Sequence, residues 1–394
     1  MPKAQNAVDV NLFAGAGGLA IGLKQAGFRP EFLYEKDPVA QATLKANKLT
    51  GSTPPHWEVH KGDVTRVDWT GFSSPVRLLA GGVPCQPFSL AGNHLAQMDG
   101  RNQFPALIRA VHALTPQAVL IENVYGLLRS DFARYFEYVL RALRSPSVAP
   151  KEQESWQEHD RRLKAKEQSR SYSPEYIVES ALLNAADYGI PQIRRRVFIV
   201  GVRAPLPVFA FPTPTHSRAA LIRDQLTGAY WKRHELRRPA SLRTLLPKAP
   251  LDDGLLPWAT VRDALSSLPH PAKSEEATHL NGCLPNHWRI PGARSYHGHR
   301  GSLQDWPSKT LKAGVHGVPG GENTVRLGEK TVRYYTLREA ATLQTFPVDY
   351  VFEGARLHVT RQIGNAVPPL LASVVGTKLL KLLKTAESRK SSRR

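Results

Sequence analysis

The chain has 394 residues, with 53 Lys and Arg against 33 Asp and Glu, a formal net charge of +20. Its 41% hydrophobic content excludes wholesale disorder, and its two cysteines, Cys85 and Cys283, exclude a disulfide framework and favour a reducing, cytosolic setting. No apolar run approaches the ~18 residues of a membrane span, so the excess charge points to a polyanion, with nucleic acid ahead of an anionic membrane surface.

Ala7–Phe13 reads as a short apolar strand running into glycine-rich sequence, and no secretory signal is expected in Met1–Asp9. Leu19–Ala26 has helical spacing, Arg29–Tyr34 is a second strand leading to Glu35, and Pro38–Asn47 is a helix with Pro in its first turn. Val76–Ala80 and Ala118–Ile121 are short buried strands, with helix Phe104–Leu114 between them. Tyr176–Leu183 and Val197–Val202 form a later strand pair. This alternation predicts a doubly wound, Rossmann-like α/β sheet. A polar insertion at 145–174 interrupts it, expected as a solvated helix or a mobile loop. Residues 205–349 are expected to form a second, smaller, loop-rich domain; eight of the 14 histidines fall there. Helical spacing returns at Thr336–Gln344, and Pro368–Leu383 is an amphipathic helix followed by a basic tail, Lys384–Arg394, expected to fray. The first domain is then 1–204 completed by 350–394. Charge follows this division: the first 144 residues carry only +4, whereas 205–330 and 331–394 carry +7 each.

Phe13-Ala14-Gly15-Ala16-Gly17-Gly18-Leu19 joins the first strand to the first helix. Glycines there allow a tight turn and close approach of a ligand to the helix N-terminus. Glu35, ending the next strand, is placed for ribose hydroxyls, and Asp63 of Gly62-Asp63-Val64 for an adenine amino group. The loop alone does not choose between NAD and S-adenosylmethionine, nor exclude an unliganded tight turn.

Ala80–Ser89 (AGGVPCQPFS) places Cys85 between two prolines just beyond a strand end, where α/β enzymes carry chemistry. A lone cysteine is otherwise an ordinary core residue; as a nucleophile it needs help, because a free thiol has a pKa of ~8.5. Glu122-Asn123-Val124 ends another strand, and Glu122 shares that sheet edge if it is not merely a capping or ion-pairing residue. In Gln192-Ile193-Arg194-Arg195-Arg196, alternation puts Gln192, Arg194 and Arg196 on one face.

FAGAGG (Phe13–Gly18), GD (Gly62–Asp63), PCQPFS (Pro84–Ser89), ENV (Glu122–Val124), QIRRR (Gln192–Arg196), REAATLQTFP (Arg338–Pro347) and RQIGNAVPP (Arg361–Pro369) occur in this order. Each is weak alone; together, from Phe13 to Pro369, they resemble the DNA cytosine-5 methyltransferases. The resemblance implies that Cys85 attacks carbon 6 of cytosine, that Glu122 holds or protonates ring nitrogen 3, and that Arg196, supported by Arg194, grips the base oxygen. It implies S-adenosylmethionine as the methyl donor, held by Phe13, Ala16, Gly18, Leu19, Glu35, Asp63, Val64 and Pro84, with Asn365 and Val367 completing the pocket. Ala366 stands where many relatives have Ser.

The same resemblance implies a target cytosine flipped out of duplex DNA. A mobile loop, Gln86–Gln103, would close over it, with Gln86 and Ser89 as DNA contacts. Residues 205–349 would be the target-recognition domain, with Arg294 and Arg300 as candidate DNA contacts. His279-x3-Cys283-x3-His287 followed by His297-x-His299 matches no common zinc finger, so no metal is expected. The expected protein is a cytoplasmic, nucleoid-associated monomer. Its double-stranded DNA partner would be protected as part of a restriction–modification system, without direct binding to the endonuclease. Competing readings are the same chemistry on RNA, a non-catalytic DNA-binding regulator, and an NAD oxidoreductase.

Overall fold

A computed structural model describes residues 7–47, 57–84, 102–240, 251–274, 284–294, 300–313, 323–328 and 331–391. The chain divides into two compact units. The first is Met1–Leu183, Arg195–Phe211 and Ala372–Arg394; the second is Asn184–Arg194 and Pro212–Leu371. The division differs from the sequence boundaries in that 184–194 and 350–371 fall with the second unit and 205–211 with the first.

The first unit is built on a seven-stranded sheet of β1 (Val8–Leu12), β2 (Pro30–Glu35), β3 (Glu58–Lys61), β4 (Val76–Gly82), β5 (Ala118–Val124), β6 (Tyr176–Asn184) and β7 (Arg195–Arg203). The spatial order is β3-β2-β1-β4-β5-β7-β6. β1 pairs in parallel with both β2 and β4, and β4 with β5; β7 runs antiparallel to β5. The order therefore reverses at β1/β4. The crevice beyond the carboxyl ends of those two strands is where open α/β sheets bind ligands.

Every residue of β1 is buried, as expected of a central parallel strand covered on both faces. One face of the sheet (Val10, Leu12, Leu79, Val119, Ile121, Val197, Ile199) packs with helices α3 (Phe104–Leu114) and α4 (Ala133–Arg144). α1 (Gly18–Gln25) and α2 (Pro38–Ala46) follow β1 and β2. The cost of burying Asp9 in β1 is offset by Arg77, which donates through Nε (3.0 Å) and Nη2 (2.5 Å), and by the Arg29 amide.

The insertion at 145–174 contains helix α5 (Trp156–Glu167), opened by a Ser155–Glu158 capping box. It is not merely a solvated helix or a mobile loop. Leu163 and His159 are buried, His159 Nδ1 meets the Tyr138 hydroxyl at 3.0 Å, and Arg141 pairs with Asp160 and Glu167.

The second unit is loop-rich, as its Pro and Gly content predicts. Short helices α6 (Arg218–Thr227), α7 (Ala229–Arg233) and α8 (Val261–Leu265) surround a small core of Leu221, Tyr230 and Trp231, with Trp258 and Trp306 packed against it. Helices α9 (Leu337–Leu343) and α10 (Arg356–Asn365) follow. Arg338 of α9 is fully buried and donates to three carbonyls, Pro285 and Pro347 at 3.0 Å and Tyr350. Burial pulls its guanidinium down to about 10, with Asp349 opposing. Arg338→Met leaves those carbonyls without their donor. It should lower stability by roughly 2–4 kcal/mol, read as a fall in the urea midpoint of the full chain.

The last helix, α11 (Pro369–Ser391), continues through most of the segment expected to fray. The stretch Arg356–Ser388 is long and apolar enough to cross a membrane by length and composition, which the sequence reading did not anticipate. Over half of its most apolar window is buried within the protein, where Leu371, Val375, Leu379 and Leu383 pack as core residues.

Candidate active site

The loop after β1 turns through left-handed backbone at Phe13 (φ 53°), Gly15 (φ 52°) and Gly17 (φ 81°), and Gly17 caps α1. Such angles favour glycine, and a Cβ at Gly15 would meet no atom within 4 Å. The loop is pinned by Glu35: Oε2 accepts from Gly15 N (2.6 Å) and Oε1 from Asp37 N (2.7 Å). Ala14 N also donates to Tyr34 O (3.0 Å). An ionised carboxylate has about four lone-pair sites, so both Glu35 oxygens can still accept from a diol. Ala16, Gly18, Leu19 and Val64 are buried, Phe13 and Glu35 half-buried, and Pro84 exposed.

Asp63 ends β3 by capping the turn Val64–Arg66: Oδ1 accepts from Thr65 N (3.0 Å) and Thr65 Oγ1 (2.7 Å). Its Oδ2 pairs with Lys36 at 2.8 Å, a partner that no motif signalled. The Lys36 and Thr65 hydrogen bonds hold the Asp63 carboxyl down at about 2. A folded value below the unfolded one contributes stability above pH ~4 that is lost as pH falls toward 2. Lys36 is mostly exposed, so screening keeps this under about 1 kcal/mol. Comparing denaturation of wild type and Asp63→Asn at pH 7 and pH 2 should show the stability gap close at the lower pH.

At the other side of the crevice, Gly82 of β4 is the register partner of Glu122 in β5, and Pro84 follows two residues later. Asn123 Nδ2 donates to Val83 O (3.3 Å) and so fastens the two strand ends together. Cys85, Gln86 and Ser89 lie outside the described residues. In the antiparallel β5–β7 pair, Arg196 is opposite Val124, so its side chain shares a face with Glu122 two residues back. The contact is made: Arg196 Nε lies 2.9 Å from Glu122 Oε1, and both side chains are largely buried. Burial pulls the Arg196 guanidinium below its ordinary range, while the Glu122 carboxylate pulls it back up.

Arg194 does not share this face. β7 begins at Arg195, and Gln192 and Arg194 are fully buried in the second unit, bonded to that unit's own groups. Alternation groups Gln192 and Arg194 with Arg196, but β7 starts only at Arg195: Gln192 forms a parallel bridge with Ser308, and Arg194 O accepts from Ala185 N (2.9 Å). Asn365 is exposed and Val367 buried, both in the second unit. Arg294 and Arg300 are exposed there too. His287 is buried between the Thr336 hydroxyl and Pro269 O, each 2.8 Å away, and His279, Cys283, His297 and His299 lie outside the described residues. Among the described residues no cluster of three metal-ligating side chains occurs.

The profile of the C-5 cytosine-specific DNA methylases matches residues 8–146 and 164–381. The chain belongs to that family. Membership covers nearly the whole chain and makes the protein a DNA cytosine methyltransferase. The methylase is 32% identical to the type II methyltransferase M.PspPI of Psychrobacter sp. over 96% of this chain and 80% of that one. It is 31% identical to M.Eco47II of Escherichia coli, over 95% and 79%. Among solved structures it resembles the S. pombe Dnmt2 methyltransferase, with a TM-score of 0.56 at 17% identity over 96% of this chain and 99% of that one. A methyltransferase from Entamoeba histolytica gives a TM-score of 0.55 at 12% identity, over 96% and 98%. These neighbours show that the sheet is the methyltransferase form of the α/β fold. The internal gap in the family match, 147–163, contains most of α5.

Proposed function

We propose that the methylase transfers a methyl group to carbon 5 of a cytosine flipped out of duplex DNA at a short specific site, as the modification half of a type II restriction–modification system. The Glu122–Arg196 ion pair at the carboxyl edge of β5 carries this reading, because it sets a carboxyl group and a guanidinium side by side next to the strand that leads to Cys85. The relatives named as type II methyltransferases support the biological role.

In this reading the Cys85 thiolate attacks carbon 6 of the base and breaks the ring conjugation, splitting one hard step into easier ones. Glu122 holds or supplies the proton at nitrogen 3 as electron density moves there, and Arg196 binds the base oxygen and orients Glu122. Carbon 5 becomes enamine-like and nucleophilic. S-adenosylmethionine, when bound, supplies the methyl group from its sulfonium centre. Water takes the carbon 5 proton, and the electron pair of that C–H bond re-forms the ring double bond and expels Cys85 as thiolate, the proton at nitrogen 3 returning to Glu122.

The open glycine loop and the spare acceptor sites of Glu35 suit a ribose-bearing donor. Phe13, Ala16, Gly18, Leu19, Glu35, Asp63, Val64 and Pro84 are assigned to hold it. The family resemblance assigns Asn365 and Val367 to it as well. Gln86, Ser89, Arg294 and Arg300 are assigned to DNA, in a protein that acts as a cytoplasmic monomer. Domain roles follow: 1–204 with 350–394 catalytic, 205–349 target recognition.

The test is covalent trapping. Duplex DNA with 5-fluorocytosine at the site, mapped by bisulfite sequencing of DNA from expressing cells, should yield a stable adduct with wild-type protein. Absence of an adduct on that DNA overturns the catalytic reading, and an adduct on transfer RNA alone would reassign the substrate.

A further inference from the structure

The fully buried Arg194 sits among backbone carbonyls. Its Nη1 donates to Leu311 O (3.3 Å), and its Nη2 to Gly364 O (2.7 Å) and Ala366 O (2.9 Å). Gln192, two residues earlier, accepts from Leu311 N (3.0 Å) and donates to Gln344 Oε1 (3.1 Å). Gln344 in turn donates to Ile363 O (2.6 Å). Between them the connector zips onto the same segment: Ile193 N donates to Ser308 O (2.8 Å), Ser308 N to Pro191 O (2.9 Å), and the Thr310 hydroxyl to Ile193 O (2.7 Å).

Two stretches of chain are thereby fixed against each other. One is Lys309–Ala313, where Leu311 is buried and Lys309 and Lys312 flank it exposed. The other is the turn Ile363–Val367, where Gly364 is buried and Asn365 exposed. Their backbones touch: a Cβ on Gly364 would lie 2.5 Å from Ala313 N and 2.6 Å from the Lys312 carbonyl carbon. The planar, forked guanidinium serves carbonyls of both stretches at once.

We propose that Arg194 is a positioning residue and not a base-contacting one: it locks the backbone carrying Lys309 and Lys312 to the turn carrying Asn365 and Val367. The proposal rests on the reading above for what those residues hold, namely DNA phosphates and the methyl donor. One guanidinium then sets the grip on both ligands, before any chemistry. It takes Arg194 out of the catalytic group and leaves Arg196 as the arginine that meets the base.

The test uses three variants of the full chain: Arg194→Met, Arg194→Lys and Gly364→Ala. The last wedges the two stretches apart while leaving the arginine in place, so it carries the test if Arg194→Met does not fold. Binary Kd values are measured for duplex DNA carrying the mapped site and for S-adenosylhomocysteine, beside KM and kcat, with thermal unfolding confirming a folded protein at assay temperature. Arg194→Met and Gly364→Ala should each raise both Kd and both KM values about tenfold or more, while kcat falls less than about threefold, and Arg194→Lys should lie between wild type and Met. A loss confined to kcat would return Arg194 to the catalytic group and overturn the proposal, as would weakened binding of one ligand only. Wild-type protein that binds both ligands without methylating would overturn the catalytic reading instead, with the clamp still decided by the Kd values.

Discussion

Cys85→Ala should abolish methyl transfer, with a fall in kcat on the order of 10⁴-fold or more, while affinity for site-containing duplex DNA stays within about threefold. The asymmetry follows from the chemistry. Without a thiolate no covalent bond forms at carbon 6, and carbon 5 stays part of an aromatic ring. Duplex affinity comes mainly from phosphate contacts, which the excess cations supply and Cys85 does not. Filter binding of tritiated methyl groups beside gel-shift titration reads both quantities. Cys283→Ala, the only other cysteine substitution, should turn over normally. Methyl transfer retained in Cys85→Ala would refute the nucleophile assignment.

Glu122→Gln should lower kcat by roughly 10²–10⁴-fold, the usual range for losing a positioned proton donor. The Arg196 pairing sharpens the expectation. Glutamine keeps the shape but removes the countercharge 2.9 Å from a buried guanidinium. An uncompensated buried charge costs stability, roughly 3–5 kcal/mol where no other partner relaxes to meet it. Arg196→Met should show a comparable kinetic loss, and the double substitution should cost much less than the product of the two. Groups that act as a unit are non-additive. Independent, multiplicative effects would mean that the ion pair is incidental to the reaction.

The parts of the fold legible in the sequence were those fixed by local chemistry. Central strands such as Val8–Leu12 are short continuous apolar runs, and the glycine loop after them needs left-handed backbone that few other residues adopt. Glu122 could be placed at a strand end because the apolar run of β5 stops there. Other elements were hidden by tertiary context. β3 (Glu58–Lys61) lies at the end of the strand order and carries no fully buried residue, so its sequence has no strand signature. The antiparallel pairing of β7 with β5 has no compositional trace. The Ser155–Glu158 capping box was a readable start for α5, but the buried pairing of Tyr138 with His159 was not. The Arg194 misplacement has the same cause: its carbonyl partners are more than 100 residues away.

The chain passes between its two units at 183/184, 194/195, 211/212 and 371/372, so the second unit is assembled from a short stretch and a long one. This bears on attempts to exchange sequence specificity between related methylases by swapping modules. A graft of 212–371 alone would bring Leu311, Gln344 and Gly364 into a host whose own connector replaces Gln192 and Arg194. The second unit, as a piece to be moved, is therefore discontinuous. It consists of 212–371 together with 184–194, and chimeras that carry both pieces should fold where single-piece grafts do not.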